Sequence, residues 1–304
     1  SHEIIVFQYF AAQAEVYCLF ERAAPRPEKA PVVVFIHGYG AYNPMIYGKW
    51  IKHIVRQGNI VIFPRYQKNL LSPNPRHFAE NVSIAIRDAL VELQDSNHVA
   101  PGDEPLLLVG HSYGGTISAY LGVHYDSLQI PKPAGIMLVS PGTGPFKGGR
   151  LEDYKEMPED MKLLIIVSED DHIVGDKLGR TIFNTAVNTP ERNLLIQYAD
   201  SYGEPGISAG HNESYSLDKD FDSGVRNVSS KRAEHISRLD AVDYYAYWKL
   251  FDALMETTRS GHYYEYAFGN TPEQTHMGQW SDGTPVRPLE VIIPEAIPKV
   301  EASK

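Results

Sequence analysis

The sequence has almost no cysteine and no long apolar run. Cys18 is the one cysteine among 304 residues, so the chain can form no internal disulfide and offers no cysteine-based metal site. Cys18 lies in an apolar-rich stretch, which predicts a buried strand residue. No apolar run approaches the ~20 residues needed to cross a bilayer, so the sequence predicts a soluble protein without a membrane span.

Basic side chains are also scarce. Lysine and arginine together number 28 against 38 acidic residues, and the formal net charge is −10. Because no Lys/Arg cluster offsets this balance, it argues against nucleic acid and anionic membranes as partners. The chain begins at Ser1 rather than methionine, which fits a removed signal peptide or an artificial boundary and favours export over the cytoplasm. Nothing in the sequence indicates an oligomeric state.

Hydrophobic residues are plentiful at 43%, enough to bury a substantial core. Apolar runs predict an antiparallel edge pair at residues 3–10 and 15–20, followed by strands at 32–36, 60–63, 106–109, 134–139, 162–167 and 193–198. Helical spacing between several of these strands implies a mainly parallel sheet covered on both faces. We expect one domain over residues 1–304, with a core to about residue 260. The aromatic-rich extension 261–304 is expected to pack back on that core.

The pattern Gly-His-Ser-Tyr-Gly at residues 110–114 directly follows one of these apolar runs. A sharp strand-to-helix turn forces its corner residue, Ser112, into a strained backbone conformation. The neighbours Gly110 and Gly114 meet the resulting need for positions without side chains. The pattern is therefore typical of a nucleophile elbow, although a plain glycine-rich turn would also fit the five residues alone.

Two later strands end in the residue types that a serine nucleophile requires. A serine hydroxyl needs a histidine base that is oriented by a carboxylate. The strand at 162–167 runs into Glu169, Asp170 and Asp171, and a Gly/Ser loop after the last strand presents His211. We assign Asp171 as the acid, keep Asp170 as the alternative, and expect Glu169 to face solvent. The order serine, aspartate, histidine fits a sheet of this kind.

The remaining parts of such a site would be amide donors and a substrate pocket. The backbone amides of Tyr39 and Tyr113 are the predicted oxyanion donors. Tyr39, Tyr42, Tyr113 and Ile173 are the predicted pocket walls. His37 is expected to brace the oxyanion loop, residues 37–40, which carries Tyr39. The short connection after residue 139 predicts an open site without a lid.

This chemistry needs no metal and no organic cofactor. The aspartate-rich stretch at residues 218–224 resembles a calcium loop, but its glycine stands one place late and no glutamate closes it. We therefore expect a solvated acidic loop there rather than a cation site.

The motifs at residues 37–40, 110–115, 171–174 and 210–211 together resemble the α/β-hydrolase superfamily. Within it, the short connection after the serine resembles the lidless branch that includes chlorophyllases, dienelactone-hydrolase-like esterases and cutinase- or polyester-hydrolase-like enzymes. The match covers roughly residues 32–212. It implies an α/β-hydrolase fold with a mostly parallel central sheet of about eight strands, flanking helices and no large cap domain. The long C-terminal extension and the absence of disulfides depart from that branch.

The sequence thus predicts a serine carboxylic-ester hydrolase that forms an acyl-enzyme on small, medium-sized or polymeric esters. Thioesterase or amidase activity would use the same residues and stays open. A non-catalytic module of the same fold that binds a partner through its aromatic tail is the alternative from a different class.

Overall fold

A nine-stranded sheet forms the centre of the protein. The computed structural model describes residues 3–10, 16–70, 73–146 and 148–294. The strands of this sheet are β1 (Glu3–Phe10), β2 (Val16–Ala24), β4 (Val32–Ile36), β5 (Ile60–Arg65), β7 (Leu107–His111), β8 (Gly135–Val139), β9 (Lys162–Ser168), β10 (Arg192–Gln197) and β11 (Glu290–Ile292). A separate pair, β3 (Lys29–Ala30) and β6 (Ala100–Pro101), forms a small parallel sheet.

The strand order in the main sheet is β1-β2-β5-β4-β7-β8-β9-β10-β11. The central strands from β5 to β10 pair in parallel, while β1 with β2, β2 with β5 and β10 with β11 pair antiparallel. Strands β4, β7 and β8 are buried along their whole length, which explains their unbroken apolar sequences. The carboxyl ends of the parallel strands meet at one edge, where the predicted site residues follow.

Helices cover both faces of the sheet. They are α1 (Gly48–Arg56), α2 (Phe78–Glu92), α3 (Tyr113–His124), α4 (Lys177–Thr185), α5 (Val228–Ile236), α6 (Lys249–Ser260), α7 (Tyr264–Ala267) and α8 (Pro272–Thr275), with a π-helix at Val242–Trp248 and 3₁₀ turns at Pro44–Tyr47, Pro75–His77 and Lys219–Phe221. One core packs α1 and α6 against the sheet, and the other packs α2, α3 and α4 against the opposite face. Alternate residues of β4 point into the two cores, as expected for a strand buried on both faces.

The structure confirms the α/β-hydrolase architecture and adds one strand to the expected number. The ninth strand is β11, which pairs antiparallel with β10 so that Leu195 lies opposite Val291. Three residues are too few to show a strand period, so no pattern in the sequence predicts this strand. Residues 295–304 of the expected extension lie outside the described residues, as do residues 11–15 near the predicted start of β2.

Two segments between β10 and the C-terminus differ from the sequence expectation. The polar sequence at residues 218–230 predicts a loop, but the structure has a 3₁₀ turn and the beginning of α5 there. Asn227 caps this helix through a reciprocal pair of hydrogen bonds with Ser230. Hydrophobic periodicity does not reveal a cap of this kind. The apolar residues over 239–258 predict one long helix, which the structure divides into the π-helix and α6. No described helix is both long and apolar enough to cross a membrane.

Candidate active site

Ser112 stands at a tight turn between β7, in the middle of the sheet, and α3. Its backbone angles are φ 56° and ψ −119°, a region that residues with side chains rarely occupy. A Cβ on Gly110 would lie 2.3 Å from the carbonyl oxygen of Gly114, and a Cβ on Gly114 would lie 2.0 Å from that of Ile36. Both positions therefore require glycine, which explains the spacing of the motif around the serine.

The structure brings Ser112, His211 and Asp171 together from three separate elements. The serine Oγ lies 2.8 Å from His211 Nε2, and His211 Nδ1 lies 2.7 Å from Asp171 Oδ2. The exposed fractions are 8% for Ser112, 6% for Asp171 and 8% for His211, so the three polar groups meet where little water reaches them. Asp171 follows β9 and His211 follows β10, so neighbouring parallel strands deliver the two residues to the same edge.

Asp171 is held as an oriented carboxylate. Its second oxygen, Oδ1, accepts hydrogen bonds from the backbone amides of Ile173 and Val174, each at 3.0 Å. Burial alone would raise the pKa of Asp171, but the hydrogen bond and charge of His211 and the two amides outweigh it and lower the pKa. Because the ionised carboxylate can only accept a hydrogen bond, His211 carries its proton on Nδ1. Nε2 is then free to accept a hydrogen bond from Ser112.

The neighbouring acids lie apart from this network. Asp170 and Glu169 are both exposed, and Glu169 lies 3.6 Å from the guanidinium of Arg287. The backbone amide of Asp170 donates to the carbonyl of Ala209, which fixes the loop carrying the histidine rather than the histidine itself. The geometry therefore favours Asp171 over the alternative acid.

The loop after β4 is pinned on both sides of Tyr39. His37 donates through Nδ1 to the carbonyl of Gly38 at 2.7 Å, and its ring stacks on Tyr66 at 4.2 Å. Burial lowers the pKa of His37 to about 3, so the ring stays neutral. The amide of Gly40 donates to Gln67 Oε1 at 2.9 Å. These contacts of His37 fit the predicted role of bracing the loop.

Among the hydrogen bonds of the described residues, the backbone amides of Tyr39 and Tyr113 have no acceptor. Tyr113 is the first residue of α3, so its amide has no partner within the helix. The amide of Tyr39 lies between those of Gly38 and Gly40, both of which are bonded to side chains. A Cβ placed on Gly38 would lie 3.2 Å from Ser112 Cβ, so this loop rests directly against the serine.

Aromatic rings cluster around Tyr39. The ring of Tyr39 is half-buried and stacks on Phe146 at 5.0 Å, with Tyr113 at 6.4 Å. Tyr113 is anchored by a hydrogen bond from its hydroxyl to the carbonyl of Gly148 at 2.7 Å. Sequence reasoning missed Phe146, because it lies in an irregular loop with no periodic pattern to mark it.

The two other predicted pocket residues are placed differently. Tyr42 is buried behind the loop, with the guanidinium of Arg65 4.5 Å from the centre of its ring. Ile173 is 51% exposed rather than buried, and its backbone amide donates to Asp171 Oδ1. Ile173 instead borders a cavity of about 480 Å³ beside His211, whose far wall is formed by residues of α5 and the segment just after it, including Arg232 and Ile236.

The aspartate-rich stretch at 218–224 is tied down by cations of the chain. Lys52 Nζ lies 2.5 Å from Asp218 and 3.0 Å from Asp220, and Arg226 pairs with Asp222 at 2.5 Å. Only Asp220 of this set has the largely solvated side chain that the sequence suggested. Within the described ranges, no group of three or more His, Cys, Asp or Glu side chains is arranged to hold a metal ion.

Known proteins resemble this chain in sequence and in fold. The family model Chlorophyllase matches residues 22–181, a little more than half of the chain, and the match includes Ser112 and Asp171. Among solved structures, carboxyl esterase 2 from the mycorrhizal fungus Tuber melanosporum superposes with a TM-score of 0.53 at 17% identity. The superposition covers 70% of this chain and 79% of the fungal chain, a likeness of fold. No curated protein sequence matches. Because the family model matches more than half of the chain, the chain belongs to the chlorophyllase family.

Proposed function

We propose that this protein is a serine carboxylic-ester hydrolase. The observation that carries the proposal is the unbroken line of hydrogen bonds from Ser112 through His211 to Asp171, built on a serine with a strained backbone. Membership of the chlorophyllase family supports an ester substrate, and the name of the structural neighbour, a carboxyl esterase, points the same way.

In the proposed first step, Ser112 Oγ attacks the ester carbonyl while His211 Nε2 takes the hydroxyl proton. The ionised Asp171 stabilises the imidazolium that forms and keeps the ring oriented. The carbonyl oxygen becomes an oxyanion, and the free amides of Tyr39 and Tyr113 donate to it. His211 then gives its proton to the leaving alcohol, and the acyl group remains on the serine.

The second step reverses these roles with water. A water molecule loses its proton to His211 as it attacks the acyl carbonyl, and the Ser112 oxygen leaves with the proton returned by the histidine. Every proton is carried by the chain's own residues. We assign Tyr39 and Ile173 as pocket walls, with Phe146 extending the aromatic side, whereas the buried Tyr42 supports the loop from behind.

The open character of the site is also part of the proposal. In the described residues of the connection between β8 and β9 there is no helix, so this connection supplies no cap above Ser112. An uncapped site suits short or polymeric esters better than long free acyl chains, which need an enclosed groove.

Hydrolysis of p-nitrophenyl esters from acetate to palmitate tests this proposal, with Ser112→Ala as the variant and Ser118→Ala as the matched control. Ser118 lies in the second turn of α3 and is also buried, and its hydroxyl donates to the carbonyl of Gly114. We expect turnover that is greatest on short esters, falls by at least about 10⁴-fold in Ser112→Ala and survives in Ser118→Ala.

A fluorophosphonate probe separates the rival functions. Labelling of Ser112 without ester cleavage would move the assignment to thioesters or amides, since those substrates use the same nucleophile. No labelling at all would favour a binding module, and retained ester cleavage in Ser112→Ala would refute the serine mechanism.

A further inference from the structure

A buried line of hydrogen bonds runs from Gly38 to His211 through the side chains of Tyr47 and His111. His111, the residue before Ser112, lies with its Nε2 2.8 Å from the backbone oxygen of His211. Its other ring nitrogen, Nδ1, lies 2.9 Å from the hydroxyl of Tyr47, and that hydroxyl lies 3.0 Å from the amide of Gly38. His111 and Tyr47 are almost fully buried, and Tyr215 packs edge-on against both rings.

The chemistry of the end groups fixes every proton in this line. A carbonyl oxygen only accepts, so His111 Nε2 must carry a proton and donate it to His211. Nδ1 is then an acceptor, and Tyr47 donates its hydroxyl proton to it. The Tyr47 oxygen in turn accepts the amide proton of Gly38. Burial lowers the pKa of His111 to about 3, so the ring remains neutral and keeps this single pattern.

The line ends at the two loops whose relative position matters for the proposed mechanism. Gly38 directly precedes Tyr39, whose amide is the proposed oxyanion donor. The carbonyl of His211 belongs to the proposed base itself. The fit is close, because a Cβ on Gly38 would lie 3.0 Å from His111 Nδ1 and 3.3 Å from the Tyr47 hydroxyl. A shift of either loop would therefore lengthen or break a bond of the line.

We propose that His111 and Tyr47 are positioning residues that set the distance between the oxyanion loop and the catalytic histidine. This inference rests on the proposed function, because the proposed function is what gives the two loops a catalytic role. Neither side chain touches the reacting atoms. Their effect is geometric: a misplacement of about 1 Å between base and oxyanion donor can cost about 100-fold in rate.

Tyr47→Phe is the sharpest test, because it removes one oxygen and no carbon. It leaves the amide of Gly38 and Nδ1 of His111 without partners. Tyr154→Phe is the matched control, since Tyr154 is also fully buried and its hydroxyl also accepts a backbone amide, that of Leu151, away from the site. Tyr47→Phe loses two buried hydrogen bonds and Tyr154→Phe loses one, so the melting temperature should fall in both variants and further in Tyr47→Phe.

We expect kcat on p-nitrophenyl butyrate to fall about 30- to 100-fold in Tyr47→Phe, with KM changed less than about 3-fold. In Tyr154→Phe, kcat should stay within about 3-fold of wild type. Equal kcat losses in the two variants, or a Tyr47→Phe loss seen only in KM, would overturn the proposal. Ser112→Ala is measured alongside: if it remains active, the proposed function fails, whereas an inactive Ser112→Ala with a fully active Tyr47→Phe sinks only the positioning role.

A double-mutant cycle gives a second reading. His111→Gln can keep a donor toward the His211 carbonyl but offers no matching acceptor to Tyr47. If the residues act as one line, the double variant with Tyr47→Phe should lose at least about 5-fold less kcat than the product of the single losses. Multiplicative losses would contradict a shared line. If His111→Gln fails to fold, the comparison of Tyr47→Phe with Tyr154→Phe decides alone.

Discussion

Two histidines five ångströms apart, His111 and His211, illustrate how surroundings divide one residue type into different roles. Their ring centres are 5.0 Å apart beside Ser112. Neither ring nitrogen of His111 bonds to a carboxylate of the described residues, and burial lowers its pKa to about 3, so it serves as a neutral bridge between loops. His211 faces the carboxylate of Asp171, which can stabilise a positive ring. The partner, rather than the position beside the serine, decides which ring can act as a base.

Asp171→Asn tests that reasoning at the level of one atom. The asparagine amide would donate to His211 Nδ1, so the ring proton would move to Nε2, which could no longer accept from the serine. We expect kcat to fall about 10³- to 10⁴-fold with little change in the free energy of unfolding.

Asp170→Asn is the matched control, one residue earlier and exposed. It should retain kcat within about 3-fold of wild type. A loss below 10-fold in Asp171→Asn, or a comparable loss in Asp170→Asn, would show that the acid has been assigned to the wrong carboxylate.

At the scale of elements, the π-helix Val242–Trp248 contains a buried acid that the proposed chemistry does not use. Asp243 accepts the amide of Asp240 at 3.0 Å through Oδ2, while its Oδ1 has no hydrogen-bond partner among the described atoms. Burial, and then the charges of Asp240 and Glu213, raise the pKa of Asp243 to about 8. The folded protein therefore holds this proton at neutral pH.

This raised pKa makes the stability of the fold depend on pH in a defined direction. Between pH 3.8 and about 8 the unfolded chain has released a proton that the folded chain retains, so this group lowers the free energy of unfolding as the pH rises. Asp243→Asn removes the effect, because asparagine is neutral in both states. The melting temperature of the variant minus that of wild type should be larger at pH 8 than at pH 5, by about 3 °C or more.

Asp103→Asn provides the control, since its side chain is almost fully exposed and keeps the same solvent surroundings when the chain unfolds. Its difference from wild type should stay constant over the same pH range. A constant or shrinking difference for Asp243→Asn would mean that Asp243 is ionised in the folded protein.

The sequence was informative where a local rule acts and silent where tertiary contacts decide. Ser112, Asp171 and His211 could be found because each follows a strand of the parallel sheet, and strand ends are visible as apolar runs. The π-helix, β11 and the packing of Phe146 on Tyr39 could not, because each depends on partners distant in sequence. Nothing in the sequence around Tyr47 marks a hydroxyl that bridges two loops.

At the scale of the whole molecule, the C-terminal extension completes the core. Strand β11 closes one edge of the sheet, and Phe268, Met277 and Leu289 are buried in the core that also contains α1 and α6. We propose on this basis that the chain is one folding unit rather than a hydrolase core with a separate tail.

Phe268→Ala tests that unity. Phe268 is 2% exposed, so its truncation should cost about 3–5 kcal/mol and shift the whole unfolding transition in urea. Tyr263→Ala, on the same segment but 56% exposed, should change stability by less than about 0.5 kcal/mol. A separate early transition in Phe268→Ala, with the main transition unmoved, would indicate an independent tail.

The central claim is that Ser112 is a nucleophile activated by His211, and the most direct measurement is covalent labelling of the intact protein. A fluorophosphonate should add one group per chain, peptide mass spectrometry should place it on Ser112, and His211→Ala should slow the labelling by at least about 100-fold. Labelling on another residue, or labelling of Ser112 at an equal rate without His211, would contradict the account.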